Sequence, residues 1–256
     1  MIQISNFKKR IQNDENLFGP FWKVNFPGLV EAAGLAGWDF ALFDMEHATH
    51  APETVENLVR AAENVNMGTV IRVSGNEENK IVKAADTGAD CILVPHTSTK
   101  EEAYSAVKAA KFHPIGERGM DVFARSAKYG HIPKEKYLKE SNKNTMIAIQ
   151  VEGMEGVNNL SEIIKVEGLD MIFIGPYDLS ESMGIPGQTT NPKLINRIEE
   201  LVNKIKASGK AIGIYVDNIE EAHQWARIGV QFIAFSADIP IFYRASQKLV
   251  NKIKDK

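Results

Sequence analysis

The chain has 256 residues, 44% of them hydrophobic and 25% charged, with a formal net charge of -3. Such a composition suits a folded chain with a large core, and the small negative balance gives no reason to expect nucleic acid or a membrane surface as partner. Cys91 is the single cysteine, so no internal disulfide forms, and its apolar neighbours predict a buried thiol.

No apolar run approaches the roughly 20 residues that cross a bilayer. The charged stretch Met1 to Arg10 is not followed by the apolar segment of a signal peptide. A cytoplasmic protein is therefore expected.

In chain order, Ser5 to Gln12 predicts a short helix and Leu17 to Val24 a first strand. Pro27 to Ala36 reads as a helix, with Pro at its start and Gly37 past its end. Strands follow at Trp38 to Asp44, Thr69 to Val73 and Asp90 to Pro95. Helices alternate with them at Pro52 to Glu63, Asn76 to Asp86 and Lys100 to Lys111. In the first of these helices Val55, Leu58, Val59 and Ala62 share one face.

The rhythm then breaks. Phe112 to Asn144 has no clean period apart from a short helix over Pro133 to Glu140, and a stretch this long in a compact fold is usually functional. Alternation resumes with strands at Thr145 to Glu152, Asp170 to Gly175, Lys210 to Val216 and Gln231 to Ser236. The matching helices are Asn158 to Ile164, Pro192 to Ser208, Ile219 to Ile228 and Ile239 to Lys254.

Eight strands, each followed by a helix, over about 250 residues predict an α/β fold of the (β/α)8 barrel type, one domain over 1–256 with a C-terminal helix. An open doubly wound sheet would carry a Gly-rich first turn. Here the first strand leads into Asn25-Phe26-Pro27 instead.

In such a barrel, chemistry collects at the C-terminal ends of the strands. Those ends carry Lys23, Asp44-Met45-Glu46-His47, Arg72, His96, Gln150, Glu152, Asp178, Tyr215 and Ser236 to Asp238. Glu152 and Asp178 follow successive apolar runs and are the candidate metal ligands. Two carboxylates with open positions suit Mg2+ or Mn2+. The competing reading pairs each with an arginine across the barrel mouth.

His47 is the candidate general base, with Asp44 or Glu46 holding its tautomer; otherwise it is a loop residue before the next helix. Arg72 can bind a carboxylate or a developing enolate oxygen, and it can also pair with Asp44 on the adjacent strand. Arg118 and Arg125 in the long segment could clamp a second anion, contact another subunit or face solvent. The amides of the GPYDLS turn could bind a carboxylate, and Met183 to Thr190, with Gly184 and Gly187, is suited to a mobile cover.

Together FDMEHATH, IRV, PIGERG with ARS, QVEGMEGVNNL and FIGPYDLSESMG, in that order, resemble the HpcH/HpaI aldolase family over nearly the whole chain. The resemblance implies a phosphoenolpyruvate/pyruvate-type barrel and a metal-dependent class II aldolase. Such an enzyme cleaves a 2-keto-4-hydroxy acid to pyruvate and an aldehyde. It implies Glu152 and Asp178 as ligands of a divalent cation (Mg2+ or Mn2+, with Co2+ as a further option), His47 as base and Arg72 as binder of the pyruvate oxygen. Gln150 matches a residue beside the metal, and Pro176, Tyr177 and Asp178 the amides that hold the pyruvate carboxylate. The implied partners are a keto acid, an aldehyde and further copies of the chain, as a trimer or hexamer. Tyr215 and Tyr177 are bulkier than the family pattern and bear on which aldehyde is used.

Rival readings are an acyl-CoA lyase, a Schiff-base aldolase using Lys23, a phosphosugar isomerase and a non-catalytic barrel. The isomerase would want Gly-rich loops after strands seven and eight, which VDN and FSAD do not supply.

Overall fold

Short β-branched and aromatic runs bounded by Gly, Pro or Asp form the barrel staves in the computed structural model, which describes residues 6–254. They are β1 (Leu17–Trp22), β2 (Phe40–Asp44), β3 (Gly68–Arg72), β4 (Cys91–Val94), β5 (Met146–Val151), β6 (Met171–Ile174), β7 (Ala211–Val216) and β8 (Phe232–Ala237). Each pairs in parallel with its sequence neighbour, and β8 pairs with β1, so the sheet closes into a (β/α)8 barrel.

The outer layer contains α2 (Pro27–Leu35), α3 (Pro52–Asn64), α4 (Glu78–Asp86), α5 (Lys100–Ala110), α7 (Met154–Ile163), α9 (Pro192–Ala207) and α10 (Ile219–Arg227). In front of β1 lies α1 (Phe7–Gln12); Ser5, the predicted first residue of this helix, falls outside the described residues. Its Phe7 ring meets Phe40 and Phe232 edge-on, each at 6.2 Å, and plugs the N-terminal end of the barrel.

Three segments differ from expectation, the first being α7, which starts at Met154 and not at Asn158. Gly175-Pro176 does not lead into an open turn but into α8 (Pro176–Ser182), with Pro at the first helical turn, where its missing N–H costs nothing. The long irregular segment contains a 3-10 turn, Arg125–Gly130, and α6 (Lys134–Asn144), longer than the predicted helix. Arg118 pairs with Asp86 on α4 at 2.5 Å and stacks on Phe112. Arg125 pairs with Glu63 on α3 at 2.5 Å. Both guanidiniums are buried and staple this segment to the barrel wall, so neither is available as an anion clamp.

Side chains alternate in and out along each strand. Leu42, Val70, Leu93, Ala148, Phe173 and Ala234 fill the barrel interior, whereas Phe43, Ile71, Ile92, Ile149, Ile172 and Ile233 pack under the helices. Counting two residues on from the interior set brings Asp44, Arg72, Gln150 and Gly175 to the barrel mouth. The same parity places Glu152 and Tyr215 there.

The chain ends in α11 (Asp238–Ile253), of which only Asp238 is buried. Asp238 accepts the backbone N–H groups of Lys23 and Val24 at 2.9 and 2.8 Å, tying the exit of β1 to that of β8. Phe242, Tyr243, Leu249 and Ile253 are exposed along the rest of the helix. Among the described residues no helix is long and apolar enough to cross a membrane.

Candidate active site

Asp44 and Arg72 are direct register partners on β2 and β3, so their side chains leave the sheet side by side. Arg72 Nε donates to Asp44 Oδ1 at 2.9 Å, and Nη2 lies 2.9 Å from Oδ2. Lys23 Nζ adds a contact to Asp44 Oδ2 at 2.8 Å. The carboxylate is fully buried, and burial alone would raise its pKa. Arg72 and then Lys23 outweigh burial and hold Asp44 well below the usual carboxylate range. Lys23 is thus committed to an ion pair and does not project alone into the barrel as a Schiff-base lysine would.

Arg72 also reaches Glu46: Nη1 lies 2.8 Å from Oε2, although no N–H is aimed at that buried oxygen. The guanidinium rests over the Phe21 ring, 4.7 Å from its centroid. A guanidinium carries about five N–H donors. Asp44 takes the Nε and Nη2 edge and Glu46 lies against Nη1, which leaves the second N–H of each Nη nitrogen for a ligand.

The structure does not give His47 the support expected. Its imidazole is 65% exposed, and Nε2 lies 3.9 Å from Glu46 Oε2, beyond hydrogen-bond reach. Asp44 Oδ1 accepts the backbone N–H groups of Glu46 and His47, at 3.1 and 3.3 Å, and not the ring. Asp44 therefore shapes the loop that carries His47 without fixing its tautomer. His50 Nε2 lies 3.2 Å from the Trp22 carbonyl, apart from this cluster. His113 and His131 are exposed, as a loop position predicts.

Glu152 is nearly buried, and its partners are not arginines. Oε1 accepts the His96 backbone N–H at 2.9 Å and lies 2.7 Å from His96 Nδ1. Oε2 accepts from Gln150 Nε2. Burial raises the Glu152 carboxyl pKa; the His96 charge opposes this, and the neighbouring Asp178 charge adds to it. Asp178 stands in the first turn of α8, exposed, with no ion pair among the described residues. The competing reading, each acid locked to its own arginine, is therefore not what the geometry shows.

Gly175 explains how β6 approaches so closely. A Cβ there would lie 3.0 Å from Glu152 Cβ and 3.1 Å from both Gln150 Nε2 and Glu152 Oε2. Leu179 N–H bonds the Gly175 carbonyl at 3.0 Å, so the Tyr177 and Asp178 amides precede the first bond within the helix. Pro176 has no N–H and lends only its ring to the wall. Serving as an amide donor, as the family pattern implied for it, is outside its chemistry.

Tyr215 meets Tyr177 and Phe21 edge-on, at 5.7 Å each. Burial, followed by the Asp217 charge, pushes its phenol up to about 12, so it stays a neutral hydroxyl. Beyond the two tyrosines a cleft is lined by Thr189, Thr190, Asp217, Glu221 and Gln224. Thr189 and Thr190 come from the segment with left-handed Gly184 and Gly187.

One site residue, His96, had no defined task in the sequence, and Glu46 has a different partner from the His47 ring expected for it. His96 Nε2 lies 2.6 Å from Glu46 Oε1, so its ring bridges Glu46 and Glu152. The strand-end rule points to both His96 and Glu46, but nothing local says that they meet. Contacts run unbroken from Asp44 through Arg72, Glu46 and His96 to Glu152 and Gln150.

The HpcH/HpaI aldolase/citrate lyase family model matches residues 17–245. The chain belongs to this family. The 5-keto-4-deoxy-D-glucarate aldolase of Shigella boydii serotype 18 is 33% identical over 250 residues, which are 98% of this chain and 96% of that protein. A family member from Burkholderia cenocepacia J2315 superposes with a TM-score of 0.92 at 29% identity, covering 98% of this chain and 99% of that one. The citrate synthase SbnG superposes with a TM-score of 0.88 at 30% identity, over 99% and 100%. As a member of this lyase family with aldolase relatives, the chain is a carbon–carbon lyase.

The residues fit a divalent cation. Glu152 and Asp178 supply hard oxygen donors of like charge from the exits of adjacent strands, an arrangement that a cation stabilises. Gln150 Oε1 is buried beside them without a hydrogen-bond partner, an acceptor for a water or a substrate hydroxyl. Among the described residues no three His, Cys, Asp or Glu side chains form a closed cage. Two carboxylates with open positions match the way Mg2+ is held in enzymes that bind substrate on the ion.

Proposed function

We propose that the protein is a divalent-metal-dependent aldolase that reversibly cleaves a 2-keto-4-hydroxy acid to pyruvate and an aldehyde. The observation that carries this reading is the placement of two arginine-free carboxylates, Glu152 and Asp178, at the exits of the adjacent strands β5 and β6, with the fixed guanidinium of Arg72 at the same barrel mouth. Mg2+ or Mn2+ held by Glu152 and Asp178 would supply Lewis-acid polarisation of the keto acid.

Arg72, locked by Asp44, presents its free N–H donors to the oxygen that gains negative charge as the carbon–carbon bond breaks. The Tyr177 and Asp178 amides hold the pyruvate carboxylate. His47, on an exposed loop, takes the proton from the substrate hydroxyl in cleavage, directly or through one water, and returns it in condensation. Tyr215 and Tyr177 form the wall on the aldehyde side. The hydroxyls, carboxylates and amide of the adjoining cleft suit an aldehyde that carries hydroxyl groups, in keeping with the sugar-acid substrate of the aldolase relatives.

The test is retro-aldol and aldol turnover with pyruvate and a panel of aldehydes, with and without Mg2+ or Mn2+. Activity should vanish on chelation and return with either ion. Full activity after chelation, or turnover of oxaloacetate with an acyl-CoA in place of aldol chemistry, would overturn the proposal.

We also propose that the protein works as a homo-oligomer, a trimer or hexamer. The support is α11, a 16-residue helix with Phe242 69% exposed and Ile253 79% exposed. Met120, Phe123 and Tyr129 add exposed bulk on the long segment. Apolar surface of this kind marks an association face. Phe242→Glu combined with Leu249→Glu should lower the mass measured by light scattering without unfolding the barrel. An unchanged mass would count against α11 as the contact.

A further inference from the structure

We propose that His96 is a positioning residue that restricts Glu152 to binding its cation through one oxygen, and so favours a small octahedral ion, Mg2+ or Mn2+, over Ca2+. The inference rests on the reading of Glu152 and Asp178 as a metal site and deepens it.

An ionised carboxylate offers about four lone-pair positions, two on each oxygen. On Glu152 hydrogen bonds take two, with Oε1 accepting the His96 backbone N–H at 2.9 Å and Oε2 accepting from Gln150 Nε2; the His96 ring covers the other side of Oε1, with Nδ1 at 2.7 Å. Oε1 is thereby enclosed by the His96 amide and ring edge, and the open side of the carboxylate is at Oε2. Gly175 leaves room beside that oxygen, since even a Cβ there would approach it to 3.1 Å.

The backbone supports the arrangement. His96 has φ 51°, in the left-handed region that non-glycine residues seldom occupy. In this conformation its amide and its ring converge on the same Glu152 oxygen. The far side of the ring is pinned by Glu46 Oε1 at 2.6 Å, and Glu46 is in turn paired with Arg72 at 2.8 Å. The Glu152 side chain is therefore held at the end of a chain anchored on Asp44, with little freedom to rotate both oxygens toward a cation.

The consequence is selectivity. Ca2+ takes six to eight oxygens in a flexible shell and readily accepts a carboxylate through both of its oxygens. Mg2+ demands a near-octahedral shell at short distance and keeps waters beside one or two single-oxygen carboxylates. A carboxylate with one oxygen closed off by His96 serves the second ion and handicaps the first. Partners that orient a metal ligand typically account for 10- to 100-fold in affinity.

The experiment is calorimetric titration of Mn2+, Mg2+ and Ca2+ into the wild-type protein, His96→Gly and His96→Asn, after thermal unfolding has shown each variant folded. Glycine keeps the backbone donor, removes the ring and accepts the left-handed φ without strain. Asparagine tolerates the same φ, and serves if the glycine variant fails to fold. Mn2+ and Mg2+ affinity should fall about tenfold while Ca2+ affinity holds or rises, so that the preference for the small ions shrinks. An equal fall for all three ions, or no change for any, would overturn the role of His96. Glu152→Ala and Asp178→Ala separate this from the underlying reading: if they bind Mn2+ as the wild type does, the metal site itself is wrong.

Discussion

Arg72→Leu is expected to cost about 3–5 kcal/mol of stability and to reduce turnover of the folded fraction by about 100- to 1,000-fold. The stability loss comes from Asp44. Its carboxylate is fully buried, and Arg72 is its strongest partner. Without the guanidinium, Lys23 and two backbone amides must hold that charge alone. The activity loss has a separate cause, the missing donors at the developing oxyanion. Adding Asp44→Leu tests the separation, because removing both members of a buried pair costs less than removing one. The double variant should regain part of the stability in urea denaturation and none of the turnover.

The pH dependence has a definite sign. Asp44 is depressed in the folded state, so its contribution is fully present above the unfolded carboxylate pKa. It is lost only as pH falls toward the lower folded value. The wild type should therefore resist acid further than Arg72→Leu does.

The legible and illegible parts of the site divide along physical lines. Period-two alternation is local, so apolar runs such as Met171–Ile174 reveal the strands, and strand ends reveal Arg72, Gln150 and Glu152. Register adds the pairing of Asp44 with Arg72 once the strands are known to be neighbours. What stayed hidden depends on distant partners. Arg118 and Arg125 look like spare cations in a loop, yet Asp86 and Glu63 claim them from helices 32 and 62 residues away in sequence. His96 reads as one polar residue after Pro95, and its place between Glu46 and Glu152 follows only from barrel closure and an unusual φ. The α8 helix is illegible in the sequence because seven residues are too few to display a helical period, and its Gly-Pro start is also a turn signal. His47 marks the opposite error: a suggestive spacing beside Asp44 and Glu46 does not become a hydrogen bond to the ring.

Glu152→Gln should separate stability from function in the other direction. Loss of one of two metal carboxylates removes several kcal/mol of charge stabilisation in the transition state, about 1,000-fold in rate or more. Stability in metal-free buffer at neutral pH should hold or rise. The sign follows from the raised Glu152 pKa, caused first by burial and augmented by Asp178. A carboxyl whose pKa is higher in the folded state favours folding in its protonated form. That benefit is fully present below the unfolded value of about 4.3 and disappears as pH rises through the folded value. Where the side chain is ionised in the metal-free fold, its burial is a burden that the neutral amide avoids. A bound cation reverses the comparison, since a ligand present at 100 times its Kd adds about 2.7 kcal/mol to the form that binds it. Saturating Mn2+ should therefore raise the Tm of the wild type and leave that of Glu152→Gln nearly unmoved, so the two melting curves change places when the ion is added. If Mn2+ shifts both proteins equally, it binds elsewhere; if it shifts neither, Glu152 and Asp178 do not hold it.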